Sequence, residues 1–187
     1  IKPLGVVLPK DTNDVLSLME YSQKNSVPLL ARGGGSSQCG QTVGESVVLD
    51  YSKHQNKILE LNVEEKYVWV QPGVVLDHLN AYLKPHGLWF PVDVSTSSRA
   101  TIGGMSANNS CGSRSLYYGN MVHNVLAIEA ILDDGSIFQF DQINKNYLAT
   151  KNNQDRLYKI IDKFIDVRQK VGSEIDANWP TTQRRVG

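Results

Sequence analysis

Three consecutive glycines set directly behind a short apolar run constrain this chain more than any other feature. The segment Arg32-Gly33-Gly34-Gly35-Ser36-Ser37-Gln38-Cys39-Gly40-Gln41 follows Pro28-Leu29-Leu30-Ala31. Glycines let the backbone take positive φ and let successive N–H groups converge on one point, an arrangement that suits an anion. Ser36 and Ser37 add hydroxyl donors. No Gly-Lys-Ser/Thr closes the segment, so it is not a Walker loop, and Gly35 runs into Ser-Ser-Gln, so it is not GxGxxG. The pattern is that of a pyrophosphate held by backbone, without a helix N-terminus or a lysine. The plain alternative is a flexible linker, but linkers seldom sit between two buried strands.

Those strands come from a regular alternation over the first fifty residues. Gly5–Leu8 is an apolar run closed by Pro9, and Asp11 is a good N-cap for a helix with Val15, Leu18 and Met19 on one face. Pro28–Ala31 and Val47–Asp50 supply two further strands, and the spacing predicts a small parallel sheet. Ile58–Leu61 and Tyr67–Gln71 flank a turn at Asn62–Lys66 and predict a hairpin. Val74–Leu83 reads as a helix stopped by Pro85 and Gly87. Residues 91–120 have little periodicity and read as a long loop, a type of segment that often carries function. Val125–Leu132 and Ile137–Phe140 predict a second hairpin around Asp133-Asp134-Gly135-Ser136. Leu157, Ile160, Ile161, Phe164, Ile165, Val167 and Val171 have helical spacing over Asp155–Val171, whereas Ser173–Gly187 shows none.

The loop stretch holds the second chemical signal: Pro91-Val92-Asp93-Val94-Ser95-Thr96-Ser97, then Thr101-Ile102-Gly103-Gly104-Met105, then Asn108-Asn109-Ser110-Cys111-Gly112. Glycines admit close approach of a planar ligand, and amides and hydroxyls can bond its polar edge; each piece alone also suits an ordinary turn. His54, His78 and His86 read as surface or capping residues. His123 lies four residues beyond Gly119, but no proton partner is evident for it. Arg114 is either solvated or a phosphate partner. No HExxH, CxxC or histidine–carboxylate cluster indicates a metal, and no Gly-x-Ser-x-Gly elbow indicates a nucleophile.

Lysine plus arginine equals aspartate plus glutamate, 19 each, which gives no electrostatic reason to expect nucleic acid or an anionic membrane surface. No apolar run approaches the roughly 20 residues of a membrane span. Cys39 and Cys111 read as thiols of a reducing compartment, which predicts a cytoplasmic setting, with attachment to the inner face of a membrane as a variant. The start at Ile1 admits an upstream segment, and the chain reads as stopping within a larger protein.

Taken in order, the RGGGSSQCGQ segment, VLD at 48–50, QPGV at 71–74, the GLWFPVDVSTSSRATIGGMSANNSCGSRSLYYG run at 87–119 and the DDGS hairpin at 133–136 resemble the FAD-binding domain of the vanillyl-alcohol-oxidase superfamily. The resemblance covers about residues 1–141 and is nearest the glycolate oxidase, D-lactate and D-2-hydroxyglutarate dehydrogenase group. STSSRATIGGM and the terminal WPTTQRRVG further resemble bacterial members fused to an iron–sulfur segment.

The resemblance implies an α+β, two-lobed fold: residues 1–52 a small parallel sheet with helices, residues 53–141 a mainly antiparallel lobe, and 142–187 a helix leading to a substrate domain outside this chain, with FAD between the lobes. It implies that Gly33, Gly34, Gly35, Ser36 and Ser37 wrap the FAD pyrophosphate and that Gly40 and Gln41 close that loop. Pro91, Asp93, Thr96 and Ser97 would line the flavin and ribityl side, continued by Thr101, Gly103, Gly104, Asn108 and Gly112. Tyr118 and Gly119 would pack near the cofactor, and Val125 would offer backbone to the adenine. The loop has no histidine to tether a flavin, so noncovalent FAD is expected, with an iron–sulfur cluster only in a segment beyond this chain. The implied activity is oxidation of a small 2-hydroxy acid by hydride transfer to flavin, with the base on the substrate domain and electrons passed to an acceptor. An NADPH-dependent flavin reductase of the cell-wall precursor type and a non-catalytic flavin module are the alternatives.

Overall fold

The computed structural model describes residues 1–142 and 156–179. Its described residues form two compact units: Ile1–Val125 with the turn Asp133–Gly135, and the strands flanking that turn together with the long helix near the C-terminus.

The first unit starts with strand, helix, strand, strand. β1 (Gly5–Val7), β2 (Leu29–Arg32) and β3 (Val47–Asp50) make a parallel sheet in the order β1-β3-β2, with Gly5 and Leu29 both opposite Val47. The central strand is the most apolar and the most covered, with Val48 and Leu49 both buried, as expected of a parallel strand paired on both sides. Helix α1 (Thr12–Asn25) starts where Asp11 accepts the N–H groups of Asn13 and Asp14 at 2.9 and 3.1 Å. It stops at Ser26, which takes the left-handed conformation (φ 53°) just ahead of Pro28. β4 (Ile58–Asn62) and β5 (Tyr67–Val70) form the expected antiparallel hairpin, its turn held by Asn62 Oδ1 accepting the Glu65 N–H at 2.9 Å.

Two expectations for the middle of the chain need correction. Helix α2 covers Leu76–Leu83 rather than starting at Val74. Val74 and Val75 are drawn out of it by a short antiparallel pairing: Ile102 N–H donates to the Val74 carbonyl at 2.8 Å, Leu76 N–H donates to Ala100 at 3.0 Å, and Val75 bridges Thr101. The stretch 91–120 is also not all loop. It contains α3 (Ile102–Ala107) and α4 (Ser115–Tyr118), and α5 (Met121–Asn124) follows directly. Helices of four to six residues are too short to show a period, and glycines occupy two positions of α3. Tertiary anchors hold them instead: Met105 and Met121 are buried in one cluster with Leu76, Val92 and Ala100.

Val74, Leu79 and Leu83 form a second cluster against the β4–β5 hairpin, and Phe90 and Ile102 pack on both clusters. The segment 90–102 is thus the spine of this unit. It lacks a strand partner at Phe90, and Asn80 takes that place. Its Oδ1 accepts the Phe90 N–H at 2.7 Å and its Nδ2 donates to the Phe90 carbonyl at 3.4 Å.

In the second unit, β6 (Ile128–Ile131) and β7 (Ile137–Phe140) pair antiparallel around the predicted turn, where Gly135 has φ 82°. Helix α6 runs over Arg156–Asn178, past the expected end at Val171, so Ser173–Asn178 is helical despite its lack of apolar period. Arg168 stabilises that last part by reaching Asp176 at 2.8 Å and the Gly172 carbonyl at 3.0 Å. Ile161 is buried, whereas Phe164 and Val167 of the same stripe are exposed. Residues 180–187, which include most of the WPTTQRRVG motif, lie outside the described residues.

Leu76 is 1% exposed at the junction of α2 with the spine. Leu76→Ala is expected to cost about 2–5 kcal/mol by lost burial and cavity, read as a lower urea midpoint. Leu59→Ala on the exposed face of β4 should stay within about 0.5 kcal/mol of the parent.

Candidate functional site

The triple-glycine segment leaves β2 and lies directly on the spine. A Cβ on Gly33 would fall on the Thr101 hydroxyl, and one on Gly34 would come 2.1 Å from the Arg99 carbonyl oxygen, so neither position admits a side chain. Gly35 has φ 61°, a conformation that L side chains rarely adopt. Thr96 Oγ1 donates to Ser36 Oγ at 3.3 Å and continues the contact by one more residue. The half-buried segment Gly33–Ser37 therefore runs along 96–101, while Gly40 and Gln41 are exposed beyond it.

Among the described residues, none of the backbone N–H groups from Gly33 to Ser37 donates to another part of the protein. A run of such donors beside two hydroxyls is an arrangement that suits an anion. Ser37 Oγ accepts the Cys39 N–H at 3.3 Å, which turns the loop toward Gly40.

The other side of the spine is built around Asp93. Its Oδ2 accepts the Ser113 hydroxyl at 2.6 Å, its Oδ1 accepts the Arg114 N–H at 2.9 Å, and Arg114 Nε lies 3.6 Å from Oδ2. Partial burial pushes the Asp93 carboxyl upward. The hydrogen bonds from Ser113 and Arg114 and the Arg114 charge outweigh it and hold the group below the usual aspartate value. Gly112 packs so closely on Asp93 that a Cβ there would lie 2.2 Å from Oδ1. Asp93, Ser95, Cys111, Gly112 and Ser113 line an open concavity of about 540 Å³. Neither Cys111 nor Cys39 is in a disulfide.

The remaining sequence-predicted residues lie on the spine or on and beside α3, α4 and α5. Thr101 is buried and caps α3 through the Gly104 N–H. Gly103 N–H donates to the Pro72 carbonyl at 2.9 Å, and Ser97 accepts the Asp77 N–H at 3.2 Å. Pro91 is half-buried between Phe90 and Val92. Asn108 bonds Ser110 at 3.2 Å on the exposed end of α3. Tyr118 packs edge-on against Trp89 with centroids 5.1 Å apart, and Gly119, with φ 80°, makes the turn into α5. Val125 N–H is engaged by the Met121 carbonyl at 2.9 Å, so only its carbonyl remains to offer a ligand.

Two ambiguous residues have structural partners. Arg114 pairs with Asp93 and lies 5.0 Å over the Trp89 ring while its side chain stays 59% exposed, so it is partly solvated and its charge is turned to Asp93. His123 Nδ1 accepts the Asn120 N–H at 3.0 Å and so caps α5. Ser113 was not singled out by sequence although it follows the predicted Gly112, whereas Ser95 and Cys111 lie inside the quoted runs 91–97 and 108–112 without a role of their own. Arg32, which opens the loop, was given no role; its guanidinium lies over Gly35. Among the described residues no group of histidine, cysteine, aspartate and glutamate could hold a metal ion, and no helix is long and apolar enough to cross a membrane.

Because the folded Asp93 carboxyl is held low, its stabilisation is full above the ordinary unfolded aspartate value and is lost as pH falls through the folded one. Asp93→Asn is expected to lower stability by about 1–3 kcal/mol at neutral pH. Urea midpoints of parent and variant should converge as pH drops below the usual aspartate range. Gly34→Ala should cost about 1–3 kcal/mol by forced separation of the loop from the Arg99 carbonyl.

The FAD binding domain family matches residues 3–141. A D-2-hydroxyglutarate dehydrogenase of Haemophilus influenzae is 41% identical over 145 residues, 76% of this chain and 14% of that protein. Another of Pseudomonas putida is 45% identical over 136 residues, 71% of this chain and 14% of that protein. The chain thus spans about a seventh of the length of these relatives. The structure of 6-hydroxy-D-nicotine oxidase from Arthrobacter nicotinovorans shares the fold, with a TM-score of 0.66 at 19% identity over 73% of this chain and 29% of that one. A glycine-rich loop with unengaged N–H groups, set in an α+β frame of a small parallel sheet and antiparallel hairpins, accompanies this match, and the chain belongs to the FAD binding domain family.

Proposed function

We propose that this chain is the cofactor-holding part of a dehydrogenase that oxidises a small 2-hydroxy acid of the D-2-hydroxyglutarate, D-lactate or glycolate class. The observation that carries the reading is the run of unengaged N–H groups from Gly33 to Ser37, locked against the 96–101 spine. The names and identities of the relatives support the substrate class.

FAD, when bound, supplies the acceptor for a hydride from the substrate α-carbon. The chain's own residues bind and orient it. Gly33, Gly34, Gly35, Ser36 and Ser37 hold the diphosphate by backbone N–H and hydroxyl, and Gly40 and Gln41 close over it. Pro91, Thr96, Ser97, Thr101, Gly103, Gly104 and Asn108 form the wall beside the ribityl chain and ring. Asp93 and Gly112 shape that wall from behind, because the carboxylate is already engaged by Ser113 and Arg114. Tyr118 and Gly119 border the ring side, and the Val125 carbonyl faces the adenine. The loop carries no histidine, which supports noncovalent attachment.

The proposal includes the division into lobes of residues 1–52 and 53–141, with 142–187 leading to a substrate domain that carries the base and the groups for the substrate carboxylate. It also includes a cytoplasmic setting, with contact to the inner face of a membrane as a variant, which the two cysteines outside any disulfide support, and onward transfer of electrons to an acceptor.

The purified chain mixed with FAD should retain flavin absorbance through gel filtration, and Gly34→Ala should retain less than a tenth as much. Absence of flavin uptake by the parent chain would refute the reading. In the protein that carries this chain, D-2-hydroxyglutarate, D-lactate or glycolate should bleach the flavin anaerobically and NADPH should not; bleaching by NADPH alone would show a reductase instead.

A further inference from the structure

Arg32 is the last residue of β2 and the first of the glycine loop. It stands in register with Asp50 on β3, so an ion pair across the two strands is the expected outcome for these two side chains. It does not form. Asp50 Oδ1 instead accepts the Ser52 N–H at 2.9 Å and the Ser52 hydroxyl at 2.5 Å, which turns the carboxylate toward its own chain. The guanidinium lies along the loop. A Cβ on Gly35 would come 2.4 Å from one terminal nitrogen and 2.7 Å from both Cζ and Nε, so three guanidinium atoms cover the Gly35 α-carbon. Gly35 is therefore required twice, by its positive φ and by the arginine above it.

The side chain is half-buried, and among the described residues none of its N–H groups has a hydrogen-bond or ion-pair partner. A half-buried guanidinium with five donors and no protein acceptor is disposed to bind an anion. Arg114 is paired with Asp93, and Arg99 meets the loop through its backbone carbonyl with an exposed side chain. Arg32 is thus the arginine whose guanidinium lies on the loop itself, beside the N–H groups of Gly33–Ser37 that share its lack of acceptors.

We infer that Arg32 is the charged component of the diphosphate cradle: its guanidinium bonds the FAD diphosphate while the loop N–H groups bond it from the backbone side. This rests on the FAD reading above and adds to it a side-chain determinant of specificity, for dinucleotide over phosphate-free flavin. A planar fork of donors suits two phosphate oxygens better than an ammonium does.

The test measures binding of FAD, ADP and riboflavin to the purified chain and to Arg32→Gln and Arg32→Lys, with circular dichroism and thermal melting as controls for folding. Arg32→Gln keeps a planar polar head over Gly35 and removes the charge. Loss of a charge-assisted bond corresponds to about ten- to a hundredfold weaker binding of FAD and ADP, with Arg32→Lys in between. Riboflavin, which has no phosphate, should bind parent and variants alike, and added salt should weaken FAD binding to the parent more than to Arg32→Gln. If the parent takes up FAD and Arg32→Gln binds it equally well, the inference is overturned and the FAD reading stands. If riboflavin weakens as much as FAD, Arg32 only shapes the loop, and the inference is overturned in the same way. If the parent takes up no FAD, the reading fails and takes the inference with it.

Discussion

Backbone-on-backbone contact between Gly33–Gly34 and the Arg99–Thr101 turn is the interaction on which the rest of the site depends. A Cβ on either glycine would overlap the turn, so the loop can be held in place only while both positions stay bare. The contact does two things at once. It joins the parallel β1-β3-β2 sheet to the spine segment, and it leaves the loop's N–H groups without protein acceptors. A loop free in solvent would bond its amides to water and fluctuate. Fixed on the spine, the same amides are ordered by folding itself.

The spine can serve as that support because both of its faces are committed. Val92 and Ala100 are buried in one apolar cluster, and Phe90 and Ile102 lie against both. Where the backbone would otherwise lack a partner, Asn80 supplies one side chain in place of a strand. Charge is handled in the same local way. Asp93 and Arg114 satisfy each other and fix the Gly112–Arg114 turn, whereas Asp50 turns to Ser52 and leaves Arg32 to the glycine loop. One arginine thus pairs with Asp93 and the other lies over Gly35.

Much of this was legible in local sequence. The Asp11 cap, the hairpin turns at Asn62–Lys66 and Asp133–Ser136, and the three strands of the parallel sheet depend on neighbours a few residues apart, and each was readable. Val74 and Val75 misled because helical spacing continued through them, while a tertiary pairing with 100–102 held them extended. The short helices α3, α4 and α5 escaped because a turn or two of helix has no period to detect. The extension of α6 to Asn178 escaped because polar contacts such as Arg168 with Asp176, not an apolar stripe, support its end.

The same division holds for the site. By itself the sequence determined that a glycine-rich segment follows a strand, which the structure leaves half-exposed rather than buried, and that a serine-, threonine- and glycine-rich segment accompanies it. Those properties follow from the absence of side chains and from apolar runs, both of which are written in the order of residues. Only the tertiary structure decided what each polar residue does: that Asp93 is occupied in holding Ser113 and Arg114, that His123 caps a helix, and that Arg32 rather than Arg114 stands over the loop. Charged side chains are long and choose among partners brought near by folding, so their roles are fixed by which neighbours are already engaged, a fact that exists only in three dimensions.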